Sequence, residues 1–227
     1  MAAKLELDVP GQGTTSALVY RAPDPAGATL ILAHGAGAPQ THPFMIDMAG
    51  RIANRGIDVV TFNFLYSERG RKLPDRTGAL EACWRAAIAS VRARGGIGRE
   101  RLFCGGKSMG GRIASHVAAA GDASIDGLVF LGYPLHPPGK PRARRDEHLP
   151  RVPCPMLFVQ GSRDAFGDGR AIRALVERLP GAALHLVKGG DHSLALPKRE
   201  GAGRQEAALA AAADAIAAFV RRSEKPR

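Results

Sequence analysis

Short apolar segments that alternate with helical patterns constrain the fold of this chain most strongly. Six such segments are bounded by Gly, Pro or Asp and show little polar alternation. Strands that helices cover on both faces have this composition, so the pattern predicts a parallel sheet. The segments are Thr29–Ala33, Asp58–Phe62, Arg101–Cys104, Gly127–Leu131, Pro155–Gln160 and Ala183–Val187.

Two earlier segments, Leu5–Val9 and Thr15–Arg21, alternate between apolar and polar residues and predict an antiparallel hairpin at the sheet edge. Helices are predicted between the later strands and at Arg204–Arg222, where apolar side chains recur every three or four residues. The expected fold class is therefore α/β, with a mostly parallel eight-stranded sheet and helices on both faces.

The length of 227 residues and the absence of a linker favour one domain. No fixed-period repeat and no low-complexity stretch divides the chain, so residues 1–222 are expected to form a single domain and residues 223–227 a frayed tail. The one long irregular connection is residues 133–155, which contains seven prolines. Long ordered loops are often functional.

The net charge of +11 is compatible with an acidic partner, but the distribution of the charges argues against nucleic acid. The basic residues are dispersed, 25 of the 32 are Arg, and only 12 aromatic residues accompany them. No segment approaches the roughly 20 consecutive apolar residues of a membrane-spanning helix. We therefore expect neither a nucleic-acid nor a membrane partner.

Three cysteines without CxxC spacing indicate neither a disulfide framework nor a structural zinc site. The amino terminus mixes Lys, Glu and Asp within eight residues and lacks the apolar core of a signal peptide. A cytoplasmic protein is the expectation from these features, and no metal or cofactor is expected.

The stretch Gly106-Lys107-Ser108-Met109-Gly110 carries the strongest chemical signal. It lies between the predicted strand Arg101–Cys104 and a predicted helix at Arg112–Ala120, which is the context of a GxSxG nucleophile elbow. Such a turn holds the serine in strained backbone geometry, so the residues two positions away must be small. The alternatives are a glycine-rich turn with a capping serine, or a phosphate loop, although neither GxxxxGK(S/T) nor GxGxxG is matched.

A serine hydroxyl is a weak nucleophile unless a base accepts its proton, so the sequence must also supply a histidine and an acid. Among the seven histidines, His192 follows the last predicted strand, at the carboxyl edge where active sites of open α/β sheets lie. Asp164 follows an earlier predicted strand at the same edge, and Asp168 and Asp191 are its rivals. The alternatives are a loop histidine without a role and an aspartate that only closes a turn.

Two backbone N–H groups are expected to hold the oxyanion of a tetrahedral intermediate. The elbow supplies that of Met109. The loop after Thr29–Ala33 supplies the second, which we assign to Ala36, with Gly37 next. Metal binding by His34 is the alternative function for this loop, but no partner ligands lie at suitable spacing.

Six motifs spread over nearly the whole chain carry a family resemblance. They are LAHGAGA at Leu32–Ala38, FNFLYSERGR at Phe62–Arg71, GGKSMGGR at Gly105–Arg112, LGYPLHPPGKP at Leu131–Pro141, FVQGSRDAFG at Phe158–Gly167 and GGDHSL at Gly189–Leu194. The chain resembles α/β-hydrolases of the dienelactone-hydrolase-like kind. More narrowly, it resembles the group of the testis-expressed hydrolase-like protein and the hydrolase-like domain of NSL complex subunit 3. Dienelactone hydrolases proper use a Cys nucleophile, whereas this chain has Ser108.

The resemblance implies an α/β-hydrolase fold without a large cap domain. It also implies a serine hydrolase that cleaves an ester or related acyl bond of a small molecule through an acyl-enzyme on Ser108, with Asp164 as the acid and His192 as the base. The order Ser, acid, His along the chain matches that superfamily. The rival from another class is a non-catalytic binding module that uses its basic surface.

The irregular segment 133–155 is expected to overhang this site, with Tyr133, Leu135 and His136 as substrate contacts. A rigid surface loop is the alternative. Lys107, next to the serine, either attracts an anionic substrate or is only solvated, and we favour the second.

Overall fold

The computed structural model describes residues 2–97, 100–121 and 124–222, and a single eight-stranded sheet runs through its centre. The tail predicted at residues 223–227 lies outside the described residues. The strands are β1 (Ala3–Val9), β2 (Gly13–Tyr20), β3 (Ala28–Ala33), β4 (Asp58–Phe62), β5 (Arg101–Lys107), β6 (Gly127–Leu131), β7 (Met156–Gly161) and β8 (Ala182–Val187).

The strand order is β1-β2-β4-β3-β5-β6-β7-β8. Strand β2 runs antiparallel to both of its neighbours, and β3 to β8 are parallel to one another. The predictions of a mostly parallel eight-stranded sheet and of an edge hairpin are confirmed. Because the carboxyl ends of the parallel strands meet at one edge, the loops after β3, β5, β7 and β8 converge there.

Helices cover both faces of the sheet. They are α1 (Pro43–Ala53), α2 (Leu65–Glu68), α3 (Thr77–Ala93), α4 (Met109–Ala119), α5 (Gly169–Val176) and α6 (Ala202–Arg222), with short 3-10 turns at Leu149–Arg151 and Lys198–Glu200. Helices α1 and α6 pack on one face, and α3, α4 and α5 on the other. Within the described residues, no helix has the length and apolar character that crossing a membrane requires.

Alternation along the central strands divides the core into two layers. On β3, Ile31 packs into the layer beneath α3 and α4, whereas Leu32 packs into the layer beneath α1 and α6. Every residue of β3, β4, β6 and β7 is buried. The connection from β6 to β7 contains only one 3-10 turn, and no large cap domain covers the carboxyl edge.

The turn from β5 into α4 is tighter than the sequence predicted. Strand β5 continues to Lys107, three residues beyond the predicted end, and α4 begins at Met109, three residues before the predicted start. The extension is possible because a Cβ on Gly105 would lie 1.9 Å from the backbone oxygen of Val129 on β6. Strand pairing therefore continues through the glycines and leaves Ser108 alone between strand and helix.

Candidate active site

Ser108 occupies a strained turn at the carboxyl edge of the sheet. Its φ is 50° and its ψ is −116°, a conformation that costs a non-glycine residue on the order of 1–3 kcal/mol. A Cβ on Gly106 or Gly110 would lie 2.2 Å or 2.4 Å from the Ala33 backbone oxygen, so both flanking positions require glycine. The Ser108 side chain makes no capping hydrogen bond to α4, which argues against a purely capping role.

Ser108, His192 and Asp164 form a continuous hydrogen-bonded chain. The distance from Ser108 Oγ to His192 Nε2 is 2.8 Å, and the distance from His192 Nδ1 to Asp164 Oδ2 is also 2.8 Å. The Asp164 side chain has no exposed surface, whereas the His192 side chain keeps 20% of its surface accessible. A carboxylate that fixes Nδ1–H leaves Nε2 free to accept the serine proton, which is how a serine hydroxyl becomes nucleophilic.

Three donors hold the Asp164 carboxylate. Its Oδ2 accepts a hydrogen bond from the Gln160 side-chain amide at 2.7 Å in addition to that from His192, and its Oδ1 accepts one from the Phe166 backbone N–H at 2.8 Å. The rival acids are occupied elsewhere. Asp168 caps α5 through the Ala171 N–H, and Asp191 accepts hydrogen bonds from the backbone of its own turn.

Lys107 anchors the loop that carries His192. Its Nζ donates a hydrogen bond to the His192 backbone oxygen at 2.6 Å. Burial lowers the pKa of Lys107 to about 8, although the charges of Asp164 and Asp191 oppose that effect. On the other side of the imidazole, the Phe166 ring lies 4.2 Å away from it between centroids. The histidine is therefore held by its backbone and by its ring.

The loop after β3 brings its backbone against Ser108. A Cβ on Gly35 would lie 3.6 Å from the Ser108 Cβ. Buried His34 accepts a hydrogen bond from the Phe64 N–H on Nε2 at 3.1 Å, so its Nδ1 carries the proton and donates to the Gly35 oxygen at 2.8 Å. Burial lowers the pKa of His34 to about 4, which keeps the ring neutral. With both nitrogens occupied, His34 has no lone pair left for a metal.

This hydrogen bond orients the next N–H group. The carbonyl of Gly35 and the N–H of Ala36 belong to one planar trans peptide and point in opposite directions. Since the carbonyl faces His34, the Ala36 N–H faces away from it, and both Ala36 and Met109 line the pocket in front of Ser108. Gly37 does not line the pocket, and its amide lies near the Tyr66 hydroxyl, where it opposes the rise in the pKa of Tyr66 that burial causes.

A pocket of about 510 Å³ opens onto Ser108 and His192. Its apolar lining comes mainly from α1, α3 and the loops at the carboxyl edge: Ala38, Phe44, Met45, Leu80, Pro134 and Phe166. Its charged lining includes Lys107, Arg112, Arg145 and Asp75. The volume suits a small molecule, with the serine and the histidine at its wall. Nowhere in the described ranges do three His, Cys, Asp or Glu side chains group as a metal site requires.

Comparison with known proteins places the chain in a family. A family model described as an alpha/beta hydrolase domain matches residues 26–221. The chain belongs to the alpha/beta hydrolase family. Solved hydrolases share its fold at low identity: a serine hydrolase without a lid from Xanthomonas campestris is 23% identical, with a TM-score of 0.75 over 100% of this chain and 96% of that one. A dienelactone hydrolase from Anabaena variabilis is 18% identical, with a TM-score of 0.74 over 98% and 97% of the two chains.

None of the three predicted substrate contacts of this alpha/beta hydrolase lines the pocket. Tyr133 and Leu135 are completely buried, and neither lines the pocket. The Tyr133 ring packs against Phe130 and Phe158 in the core, 5.0 Å and 5.6 Å away between centroids. His136 is partly exposed but also lies outside the lining, with its Nδ1 2.9 Å from the Pro137 oxygen.

The segment 133–155 does reach the pocket of the hydrolase, through Pro134 and Arg145. Sequence reasoning did not single out Arg145 from the other arginines of residues 142–145. It also missed Gln160, the only polar side chain in the buried strand Met156–Gly161. An amide in such a strand needs hydrogen-bond partners, and this requirement was the available signal.

Proposed function

We propose that this alpha/beta hydrolase is a serine hydrolase that cleaves a carboxylic ester, or a related acyl bond, of a small substrate. The observation that carries the proposal is the pair of 2.8 Å contacts from Ser108 to His192 and from His192 to Asp164 at the wall of the pocket. Neutral His192 can accept a proton on Nε2 only if its own ring N–H proton is on Nδ1, and Asp164 favours that tautomer.

In the first half of the proposed reaction, Ser108 Oγ attacks the acyl carbon while its proton passes to His192 Nε2. The carbonyl oxygen becomes an oxyanion, which the N–H groups of Met109 and Ala36 stabilise, each donor contributing roughly 2.7–4 kcal/mol to lowering the barrier. The intermediate then collapses. The bond to the leaving group breaks, and that group takes the proton from His192 as an alcohol.

In the second half, water attacks the acyl-enzyme. His192 accepts a proton from the water, a second oxyanion forms in the same place, and its collapse releases the acid and returns the proton to Ser108. The Asp164 carboxylate stabilises the imidazolium that forms twice per turnover. No group outside the chain is needed for this balance except water.

A fluorophosphonate probe tests the proposal directly, because it reacts with activated serines. We expect labelling of Ser108 in the folded protein and none in Ser108→Ala. A series of p-nitrophenyl esters of increasing acyl length should then be hydrolysed by the wild type and not by Ser108→Ala. Equal rates in the two proteins, together with an unlabelled Ser108, would favour the non-catalytic binding module instead.

We also propose that the chain belongs, within the family, to the group of the testis-expressed hydrolase-like protein and the hydrolase-like domain of NSL complex subunit 3. The stretch Leu131–Pro141 supports this narrower placement, because it is more specific than the elbow, which is shared across the superfamily.

A further inference from the structure

One wall of the pocket carries positive charge that the described residues do not neutralise. Arg112 and Arg145 both line the cavity that opens onto Ser108. No carboxylate of the described chain lies within salt-bridge distance of either guanidinium. The acid in the lining, Asp75, is paired with Arg71 at 2.6 Å. Neither arginine therefore has a counter-ion among the described residues.

The two arginines also act on each other. Burial lowers the pKa of Arg112, and the charge of Arg145 lowers it further. Two like charges near each other in a partly desolvated wall are unfavourable unless an anion is present. An arginine that only serves solubility would lie in water, as the exposed Arg142 does.

Arg112 is held in place with donors to spare. Its Nη1 lies 3.2 Å from Nε2 of His116, whose Nδ1 lies 3.3 Å from Glu81 Oε1. Burial lowers the pKa of His116, so its ring is neutral and accepts from Arg112 while donating to Glu81. The Nε–H of Arg112 is buried and has no partner among the described residues. This arrangement fixes the side chain but leaves most of its five donors unused.

Arg145 is fixed by two of the residues that the sequence assigned to substrate. Its backbone N–H donates to the Leu135 oxygen at 2.9 Å, and its carbonyl accepts from the Tyr133 hydroxyl at 2.6 Å. Both of those residues are fully buried, so the backbone of Arg145 is attached to the core. Its neighbour Arg144 is instead paired with Asp146.

We propose that Arg112 and Arg145 bind a carboxylate of the substrate, so that this hydrolase prefers esters that carry a second, anionic group. A planar guanidinium matches the two oxygens of a carboxylate. More of the pocket surface is apolar than polar, which suits a flat monoanion better than a phosphate with three strongly hydrogen-bonding oxygens. The inference rests on the proposed function, because it names the substrate class of the same site.

Matched ester pairs that differ only in charge test the inference. One pair is 4-acetoxybenzoate and 4-acetoxybenzamide, with the charge on the leaving group. The other is monophenyl adipate and its terminal primary amide, with the charge on the acyl group. For at least one pair, we expect kcat/KM of the wild type to favour the carboxylate by about tenfold or more, as charge-assisted hydrogen bonds allow. The preference should shrink as salt screens the charges.

The variants to compare are Arg112→Met with Arg145→Met, singly and together, and Arg142→Met as the matched control. The double variant should bring the carboxylate-to-amide ratio close to one, whereas Arg142→Met should keep the wild-type ratio. Thermal unfolding checks that each variant is folded. A wild-type ratio near one for both pairs overturns the inference, and so does an unchanged ratio in the double variant.

Calorimetry on Ser108→Ala separates failure of this inference from failure of the proposed function. In at least one of the two pairs, binding of the carboxylate at least about tenfold tighter than that of its amide supports the arginine site even if no ester is hydrolysed. Equal binding within both pairs, or no binding of any of the four compounds, contradicts it. Labelling of Ser108 and hydrolysis of both amide esters, without a charge preference, would leave the proposed function intact and remove the inference alone.

Discussion

Replacing Gln160 with Met tests whether a buried amide holds the candidate acid in position. Gln160 is completely buried, and Met has a similar volume without the polar groups. Its Oε1 accepts from the Tyr133 N–H at 2.7 Å, and its Nε2 donates to Asp164 Oδ2 at 2.7 Å and to the Gly167 oxygen at 2.8 Å. Nε2 also donates a longer hydrogen bond to the Tyr133 oxygen at 3.4 Å, and the substitution removes all four.

The structure sets the size of the effect. The Tyr133 N–H and the Gly167 carbonyl are left without these partners in a buried site, and each such group costs about 1–3 kcal/mol. We therefore expect a loss of about 2–6 kcal/mol in the free energy of unfolding, which is a large part of the roughly 5–15 kcal/mol of a typical domain. Asp164 keeps its hydrogen bonds to His192 and Phe166, so it stays near His192 but is less well oriented. A fall in kcat of about tenfold to a hundredfold should follow.

Urea unfolding measures the loss of stability, provided that the slope of the unfolding free energy against urea concentration is the same in both proteins. Steady-state hydrolysis of a p-nitrophenyl ester measures the fall in kcat. The matched control is Gln40→Met, which removes another buried amide that binds Ser16 and Thr61. It should destabilise the protein without a comparable loss of kcat, because Gln40 does not contact the hydrogen-bonded chain. If Gln160→Met unfolds at the wild-type urea midpoint, or if both variants lose kcat equally, the positioning role of Gln160 is refuted.

Three further predictions follow from the same contacts. In thermal unfolding, Gly110→Ala should destabilise the protein by at least about 1–3 kcal/mol, because the added Cβ would lie 2.4 Å and 2.6 Å from two backbone oxygens. The control Gly50→Ala, whose Cβ would enter open space on α1, should be neutral or stabilising in that assay. The folded protein holds Lys107 at a pKa of about 8, below the pKa of a lysine in the unfolded chain. Above pH 8 the unfolded state therefore binds more protons, and the free energy of unfolding should rise with pH by up to about 3 kcal/mol relative to Lys107→Met. A pH-independent difference between the two proteins in urea unfolding would contradict this. Asp164→Asn should lower kcat by about ten-thousandfold by favouring the wrong tautomer of His192, while Asp191→Asn should keep most of its kcat.

The sequence predicted the sheet because each buried strand is a short apolar run between turn residues. The register of that sheet then determines which loops meet, so Asp164 and His192 could be assigned to the edge that carries Ser108. The ends of β5 and α4 could not be predicted. They depend on how closely Gly105 and Gly106 approach β6 and β3, which are contacts between segments distant in the sequence.

The contacts within segment 133–155 could not be predicted for a different reason. An irregular, proline-rich chain has no periodicity that reveals which side chains face inward, so Tyr133 and Leu135 were assigned to the substrate although they are in the core. The side chains and the backbone of this segment contact residues that are distant in the sequence. The Tyr133 N–H, for example, is bound by Gln160 on the neighbouring strand.

The same buried groups link the candidate acid to the candidate carboxylate site. Gln160 binds Asp164 on one side and the Tyr133 backbone on the other, and the Tyr133 hydroxyl binds the backbone of Arg145. A change at Gln160 should therefore disturb both the hydrogen bonding of Asp164 and the position of Arg145, because the two residues that connect Asp164 to Arg145, Gln160 and Tyr133, are both fully buried. Tyr133→Phe, which removes only the hydroxyl, should by contrast loosen Arg145 and leave Asp164 in place. The connection explains why a fully buried tyrosine matters to a pocket that it never touches.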